Sequence, residues 1–503
     1  MDFRQRIIKK ENLNFFLISI AIWFLLLIGL DKFPSLWFDE AWSLMVAKNW
    51  VQNGVYGRLL VDEFISAAGM AQPFTSTAWV ALSFKLLGVG IWQARLPFTI
   101  LTAGAIFFLL KMAQSLFGKY VAYFAILSLI IFTFPNYQLL LYGRQAIAEA
   151  PLIFYFLVGY YFLSKSFRNP KYLIGVIAFW GFAYNAKGLI SPFLTIGLVG
   201  PMIIAAIRKN WKVLRLFAIS LIGAIIFSLS ISGFEIYLER GLATHGALTD
   251  LIRTVAFVGE FAVRRQTISY LLLFCLLSVI SILWESKFIY QAVVNSEKLG
   301  EKEYIRISLF GIVSSWLIWF ALLSNGWPRY YSPVIFLSSI FLGNLICKGI
   351  GTIKNLDKKT SFKILLSIPI LFYFSFLIQN SFEFAVNSIK EQEIIHRDFE
   401  EIIGYLNSNT VPENIIETYD AEILFLANNI SHFPPDNIQI ELNKRAFLFE
   451  DILIDYELSG IDHDYIVIGP LGRRWNLYGP MVTNGEYVKV FDTESYEIYQ
   501  RNN

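Results

Sequence analysis

Residues 13–42 read LNFFLISIAIWFLLLIGLDKFPSLWFDEAW. The run 13–30 is apolar and, as a helix, long enough to cross the hydrocarbon core of a bilayer. No small-x-small cleavage site follows it, and Asp31-Lys32-Phe33-Pro34 comes next, so it reads as a retained span rather than a removed signal. Immediately beyond stand two adjacent carboxylates, Asp39 and Glu40. They open an amphipathic stretch with Trp42, Met45, Val46 and Trp50 at helical spacing and Gly54 as a stop signal. A span that delivers an acidic pair to its exit sets the pattern for the chain.

Ten further apolar runs follow, near 96–116, 120–135, 149–166, 172–186, 190–207, 216–234, 268–284, 306–324, 332–347 and 364–380, which predicts about eleven transmembrane helices. Of the 503 residues 56% are hydrophobic and 16% charged, against roughly 25% charged in soluble domains. Abundant Phe, Tyr and Trp suit lipid and interface contact. A net charge of +3 without a basic stripe gives no footprint for nucleic acid. Cys275 and Cys347 lie in apolar runs, so neither a disulfide framework nor a thiolate metal site is expected. The four histidines show no ligand spacing. His463, between Asp462 and Asp464 and before Tyr465-Ile466-Val467-Ile468, reads as part of a solvated strand edge rather than a metal site.

Lys and Arg bias gives an expected orientation. With the basic N-terminus (Arg4, Arg6, Lys9, Lys10) in the cytoplasm, the cytoplasmic segments hold about three times the Lys/Arg density of the opposite side. They include Lys119, Lys165/Arg168/Lys171, Arg208/Lys209/Lys212/Arg215, Lys287/Lys298/Lys302/Arg306 and Lys348/Lys354/Lys358/Lys359/Lys363. An odd number of spans places the C-terminus outside. From about 381 charges become frequent and turn signals appear at Asn407-Ser408-Asn409, Val411-Pro412 and Pro434-Pro435-Asp436. Helical patterning at 390–407 precedes β-like runs at 464–468 and 486–491. The expected organisation is therefore a transmembrane domain, 1–380, with a first outer loop at 31–95, and a soluble extracytoplasmic α/β domain, 381–503.

On this topology the unusual polar motifs all fall on the outer side: Phe38-Asp39-Glu40, Gly143-Arg144-Gln145 through Glu149-Ala150-Pro151, Ala186-Lys187-Gly188, and Trp327-Pro328-Arg329-Tyr330-Tyr331. Ionisable groups near membrane depth are costly and therefore functional candidates. Each also has a plainer reading. Asp39 could serve only as a helix cap, and Glu149 and Arg144 could pair only with each other. Lys187 could snorkel at a span end, and Arg329 could be an aromatic-belt anchor. Asp62-Glu63 read as solvated loop charges. In the 236–267 loop, Arg253, Arg264 and Arg265 fit an interfacial helix or a solvated connector alike, and Gly472-Arg473-Arg474-Trp475 reads as surface.

Together these residues resemble the membrane-embedded GT-C glycosyltransferases, in the branch of protein mannosyltransferases and aminoarabinose transferases. The matching pieces are Trp37-Phe38-Asp39-Glu40-Ala41-Trp42, Phe84-Lys85-Leu86-Leu87-Gly88 leading to Ala94-Arg95-Leu96-Pro97, Gly143-Arg144-Gln145-Ala146 with Glu149-Ala150-Pro151-Leu152, Asn185-Ala186-Lys187-Gly188, and Pro328-Arg329-Tyr330-Tyr331-Ser332-Pro333. Each motif alone is weak, and five in order over about 1–350 are fairly specific. Ala71-Gln72-Pro73-Phe74 departs from the family's His or Lys before proline. Trp42 stands where aminoarabinose transferases tend to carry Arg. Both departures count against a lipid A-modifying assignment and not against the wider class.

The resemblance implies a polyprenyl-phosphate sugar as donor and an extracytoplasmic glycan, lipid or protein as acceptor. Asp39 is expected as general base. Lys187, Arg329 and Arg144 are expected to face the donor phosphate, with Glu40 and Tyr330 near the site. Glu149 would orient Arg144 or Lys187, or share a divalent ion with Asp39, although the resemblance requires no metal. Two rival classes are a lipid-linked-sugar transporter or flippase, which calls for polar groups near mid-bilayer, and a non-catalytic polysaccharide-assembly protein.

Overall fold

The computed structural model describes residues 3–502 except 62, 68–69, 134–137, 244–247, 271, 296–298, 355–359, 455 and 457–462. Asp62, Lys298, Lys358, Lys359 and Asp462, singled out above, lie outside the described residues.

Among the described residues, each of the eleven apolar runs falls on a helix. Helix α1 (Phe3–Leu27) leads to α2 (Phe38–Asn53), a hairpin of β1 (Arg58–Leu60) and β2 (Glu63–Ile65), and α3 (Phe74–Leu87). The bundle continues with α4 (Ile91–Phe117), α5 (Lys119–Thr133), the short α6 (Gln138–Tyr142), α7 (Glu149–Ser166), α8 (Leu173–Ala186), α9 (Ser191–Ile207) and α10 (Trp211–Leu238). Then come α11 (Leu248–Ala256), α12 (Phe261–Tyr270), α13 (Leu272–Asn295), α14 (Glu301–Leu322), α15 (Ser332–Lys354) and α16 (Thr360–Asn409). Among the described residues, six segments, 91–117, 188–207, 211–238, 275–294, 301–322 and 332–350, are long and apolar enough to cross a membrane by themselves. Three shorter apolar helices, 11–27, 74–87 and 119–130, accompany them. The second of these is α3, which the eleven runs did not include.

Two glycines stand at helix boundaries, Gly54 as the sequence suggests and Gly143 as the structure shows. Gly54 closes α2 in the left-handed conformation (φ 72°), which costs glycine little because it has no Cβ. Gly143, before α7, lies so close to the Leu139 carbonyl that a Cβ there would meet it at 2.3 Å. That close approach lets Thr102 Oγ1 of α4 donate to the Gly143 carbonyl at 2.6 Å.

The expected domain boundary at 380/381 falls inside α16, a single 50-residue helix. Beyond it lie β3 (Ile415–Thr418), α17 (Ala421–Leu426), β4 (Ile430–His432), α18 (Asp436–Asn443), β5 (Tyr465–Ile468), α19 (Pro470–Trp475), α20 (Gly479–Thr483), β6 (Tyr487–Asp492) and β7 (Glu497–Arg501). The strands form one sheet in the order β4-β3-β5-β7-β6, parallel on the β4-β3-β5 side and antiparallel across β5-β7-β6. A parallel pair needs a crossover, and α17 supplies the one between β3 and β4.

Among the described residues, two large apolar cores divide the molecule. One runs through the helical bundle around Phe156, Trp180, Leu194 and Trp316. The other joins α2 and α3 to the C-terminal sheet. In that second core the ring of Phe433 lies 4.9 Å from Trp42 and 5.8 Å from Phe38. Arg58 clamps Asp436 through two hydrogen bonds of 2.9 and 2.8 Å in a buried pair. The C-terminal domain is therefore bolted to the helix that carries Asp39.

Arg264, read from sequence as a connector or interfacial charge, is buried. It donates to the carbonyls of Ala321, Val258, Ser324 and Gly259, bracing the turn after α14. His463 is 1% exposed, so the solvated-edge reading fails at that residue. Proximity of the β3 and β4 ends, invisible in one dimension, encloses it. Arg473 donates to the Glu494 carbonyl at the surface, as read.

Candidate active site

Helix α2 starts from Trp37, whose extended backbone (φ −138°, ψ 167°) precedes the first turn, and no side chain caps it. Asp39 lies within that turn, where a carboxylate is favoured by the helix dipole. It makes no capping hydrogen bond; its Oδ2 accepts from Nη1 of Arg329 instead. The cap-only reading of Asp39 is thereby excluded. Arg329 sits in a 3-10 turn before α15, fixed by Pro328. Its guanidinium lies over three aromatic rings, 5.2 Å from Trp37, 4.6 Å from Trp327 and 5.1 Å from Tyr330. The aromatic surroundings are real, but they form a cage about a buried ion pair rather than an anchor at a lipid surface.

A second pair adjoins the first. Lys187, in extended backbone between α8 and a 3-10 turn, donates to Glu149 Oε1 in the first turn of α7. The Lys187 ammonium lies 4.4 Å above the Tyr330 ring, so Tyr330 touches both cations. The side chains of Glu149 and Lys187 are 1% and 14% exposed, those of Asp39 and Arg329 18% and 10%. Lys187 feels the charges of Glu149, Arg329 and Asp39 together. Four segments separated in sequence thus converge in one polar cluster, at the face of the bundle that carries the C-terminal domain.

The cluster is charge-balanced but not saturated. Among the described residues, Glu149 Oε2 and Arg329 Nε are buried without a hydrogen-bond partner, as is Nδ2 of nearby Asn325. Buried polar groups ordinarily have partners, so these atoms mark a place built for further polar contact.

Glu40 and Arg144 belong to an adjoining layer. Glu40, fully buried, grips Arg95 of α4 through bonds of 2.8 and 2.7 Å, and its Oε1 also accepts from the Ala146 N–H at 2.8 Å. Arg95 donates in addition to the carbonyls of Leu30 and Pro34. Residues i and i+1 of a helix point about 100° apart, so the adjacent carboxylates serve different partners. Glu40 ties the exit of α1, helix α2, helix α4 and the segment before Glu149 into one frame. Arg144 donates to the Ile28 carbonyl at 2.6 Å and lies 5.6 Å over Phe33; its bonded partner is not Glu149. Sequence reasoning did not assign a role to Arg95, although a lone Arg within the apolar α4 was its signal. It also missed Trp37 as a wall of the Arg329 cage.

The carboxylates of Asp39 and Glu149 are each engaged by a cation, so a divalent ion shared between them is not prefigured. Among the described residues, metal-type side chains converge elsewhere, at Glu417, His432 and His463.

Residues 71–231 match the family model for dolichyl-phosphate-mannose-protein mannosyltransferases. No curated protein matches the chain by sequence. In three dimensions the chain is similar to ArnT from Cupriavidus metallidurans bound to undecaprenyl phosphate, with 13% identity, a TM-score of 0.61, and 96% of this chain and 97% of that one covered. The apo state of the same ArnT gives 12% identity, a TM-score of 0.58 and the same coverage. The Archaeoglobus fulgidus oligosaccharyltransferase, solved with zinc and sulfate, gives 12% identity and a TM-score of 0.53, covering 96% of this chain and 73% of that chain. The chain therefore shares its fold with these proteins along nearly its whole length, and the mannosyltransferase match falls on the segment from just before α3 into α10.

Proposed function

We propose that the protein transfers a sugar from a polyprenyl-phosphate donor to an extracytoplasmic acceptor, with inversion at the anomeric carbon. The observation that carries this reading is the paired cluster Asp39–Arg329 and Glu149–Lys187 at one rim of the bundle. Its likeness in fold to a protein solved with undecaprenyl phosphate supports the same choice of donor. The N-terminus is cytoplasmic in this reading, and the C-terminal domain and the cluster face the outside.

The acceptor hydroxyl attacks C1 of the sugar, the bond from C1 to the phosphate oxygen breaks, and the polyprenyl phosphate leaves. Asp39 takes the hydroxyl proton. Lys187 and Arg329 hold the phosphate, whose charge grows as the bond breaks, and Arg is suited to two-pronged contact with it. The donor phosphate and Asp39 compete for the same guanidinium. Donor binding draws Arg329 off Asp39, and the carboxylate, relieved of its cation, becomes a stronger base. The base is thus primed only when donor is present. Glu149 keeps Lys187 in place, and Arg144 supports the rim through the Ile28 carbonyl.

The test is incubation of purified protein with radiolabelled polyprenyl-phosphate sugars in the presence of envelope acceptors. Release of free lipid phosphate with label moved to the acceptor supports the reading. Movement of intact lipid across a bilayer without cleavage would replace it with a flippase, and neither event would leave an assembly role.

A further inference from the structure

From the convergence of Glu417, His432 and His463 we infer a zinc-type metal site in the C-terminal domain, separate from the transfer site and independent of the function proposed above. One ligand atom from each residue lies within 4.8 Å of those from the other two.

The sheet builds the site. Glu417 on β3 and His432 on β4 are register partners on neighbouring parallel strands, so their side chains emerge side by side. His463 enters from the residue pair that leads into β5, the strand on the other side of β3. Two imidazoles therefore flank one carboxylate. Oε2 of Glu417 contacts Nδ1 of His432 and lies 3.4 Å from Nε2 of His463. Ligands bound tetrahedrally to zinc at 2.0–2.1 Å are separated by about 3.3 Å, close to that second edge.

Oε1 of Glu417 is already occupied. It accepts hydrogen bonds from the Tyr478 hydroxyl at 2.6 Å and the Tyr456 hydroxyl at 2.9 Å. Two phenols orient the carboxylate and leave Oε2 aimed between the imidazoles, the outer-shell arrangement that fixes metal ligands. The donor set, two nitrogens and one oxygen, suits zinc and its first-row neighbours rather than calcium or magnesium, which prefer oxygen.

Burial argues the same way. Glu417 is 0% and His463 1% exposed, while the His432 side chain is 17% exposed, giving solvent a single approach. The ion pairs of Glu417 among the described residues are with the two imidazoles. A buried carboxylate needs a compensating positive charge, and a divalent ion held by neutral imidazoles provides one. Water at the His432 side completes the coordination. Because Phe433, next to His432, packs against the rings of Trp42 and Phe38 of α2, the ion would pin the sheet edge against the helix bearing Asp39.

The experiment uses the full chain in detergent, stripped with a chelator and returned to zinc chloride. One zinc per chain should survive gel filtration, raise the thermal midpoint, and show nitrogen and oxygen neighbours but no sulfur by X-ray absorption. His432→Ala should lose at least 90% of the bound zinc, whereas Asp39→Asn should keep it. His432 is the chosen variant because it is the most exposed ligand, and near-parental far-ultraviolet circular dichroism will verify its fold. Substoichiometric zinc in the parent, full retention by folded His432→Ala, or a sulfur-containing shell overturns the inference.

Discussion

Arg329 binds Asp39 across 290 residues of sequence, joining the turn before α15 to the first turn of α2. This contact ties the segment before the tenth apolar run to the exit of the first. In the proposed reaction it would also hold Asp39 in check until a phosphate claims the guanidinium.

Replacing Asp39 with Asn removes the base but keeps its shape. A positioned base contributes about 10²- to 10⁴-fold, so transfer should fall at least 100-fold while donor affinity stays level or rises, because Arg329 is released. Single-turnover assays and donor-binding titrations check this. Near-parental turnover would leave Asp39 with a structural role alone.

Arg329→Ala and Lys187→Ala should each weaken donor binding about 10- to 100-fold, from about 1.5–3 kcal/mol per charge-assisted hydrogen bond. Binding of a polyprenyl phosphate without sugar measures the effect free of chemistry. If both variants hold that lipid as tightly as the parent, the phosphate sits elsewhere.

Glu40→Ala strands Arg95 in a fully buried site. Removing one partner of a buried pair costs about 3–5 kcal/mol. The thermal midpoint should drop well below that of Asp39→Asn, and the contrast separates a framework residue from its reactive neighbour. Equal midpoints for the two variants would refute the division of labour.

Glu422 lies in the soluble domain, where burial and then the nearby Asp420 carboxylate push its pKa up from 4.5 to about 8. A folded value above the unfolded one means that stability from the protonated form is complete below about pH 4.5 and is lost as pH rises through about 8. Thermal midpoints of the full chain measured from pH 5 to pH 9 should therefore decline across that window through this group. Glu422→Gln, which keeps an oxygen to accept from Tyr496, should flatten the decline. An unchanged slope in that variant removes Glu422 as the source.

The helices and most of the cluster's members were legible because charge at the ends of apolar runs is costly and so stands out in one dimension, whereas Arg144, expected among them, lies in the adjoining layer on the Ile28 carbonyl. Asp39, Glu149, Lys187, Arg329 and Tyr330 do meet. Their pairing was not legible: whether Glu149 takes Arg144 or Lys187 depends on how α7 and α8 lie side by side. Nor could adjacent Asp39 and Glu40 be told apart, since helix phase alone sends one toward Arg329 and the other toward Arg95. His432 and His463 escaped for a related reason. Their proximity comes from strand order in the sheet, and no spacing rule encodes it.

Helix α16 runs from Thr360 to Asn409 without interruption, about 75 Å at 1.5 Å per residue. Near its middle Gln392 accepts from both the backbone and hydroxyl of Ser35, four residues before Asp39. The helix acts as a mast rather than a tether. Tilting the soluble domain would therefore pull on Ser35, and through the short link 35–37 on the start of the helix that carries the residue proposed to take the proton.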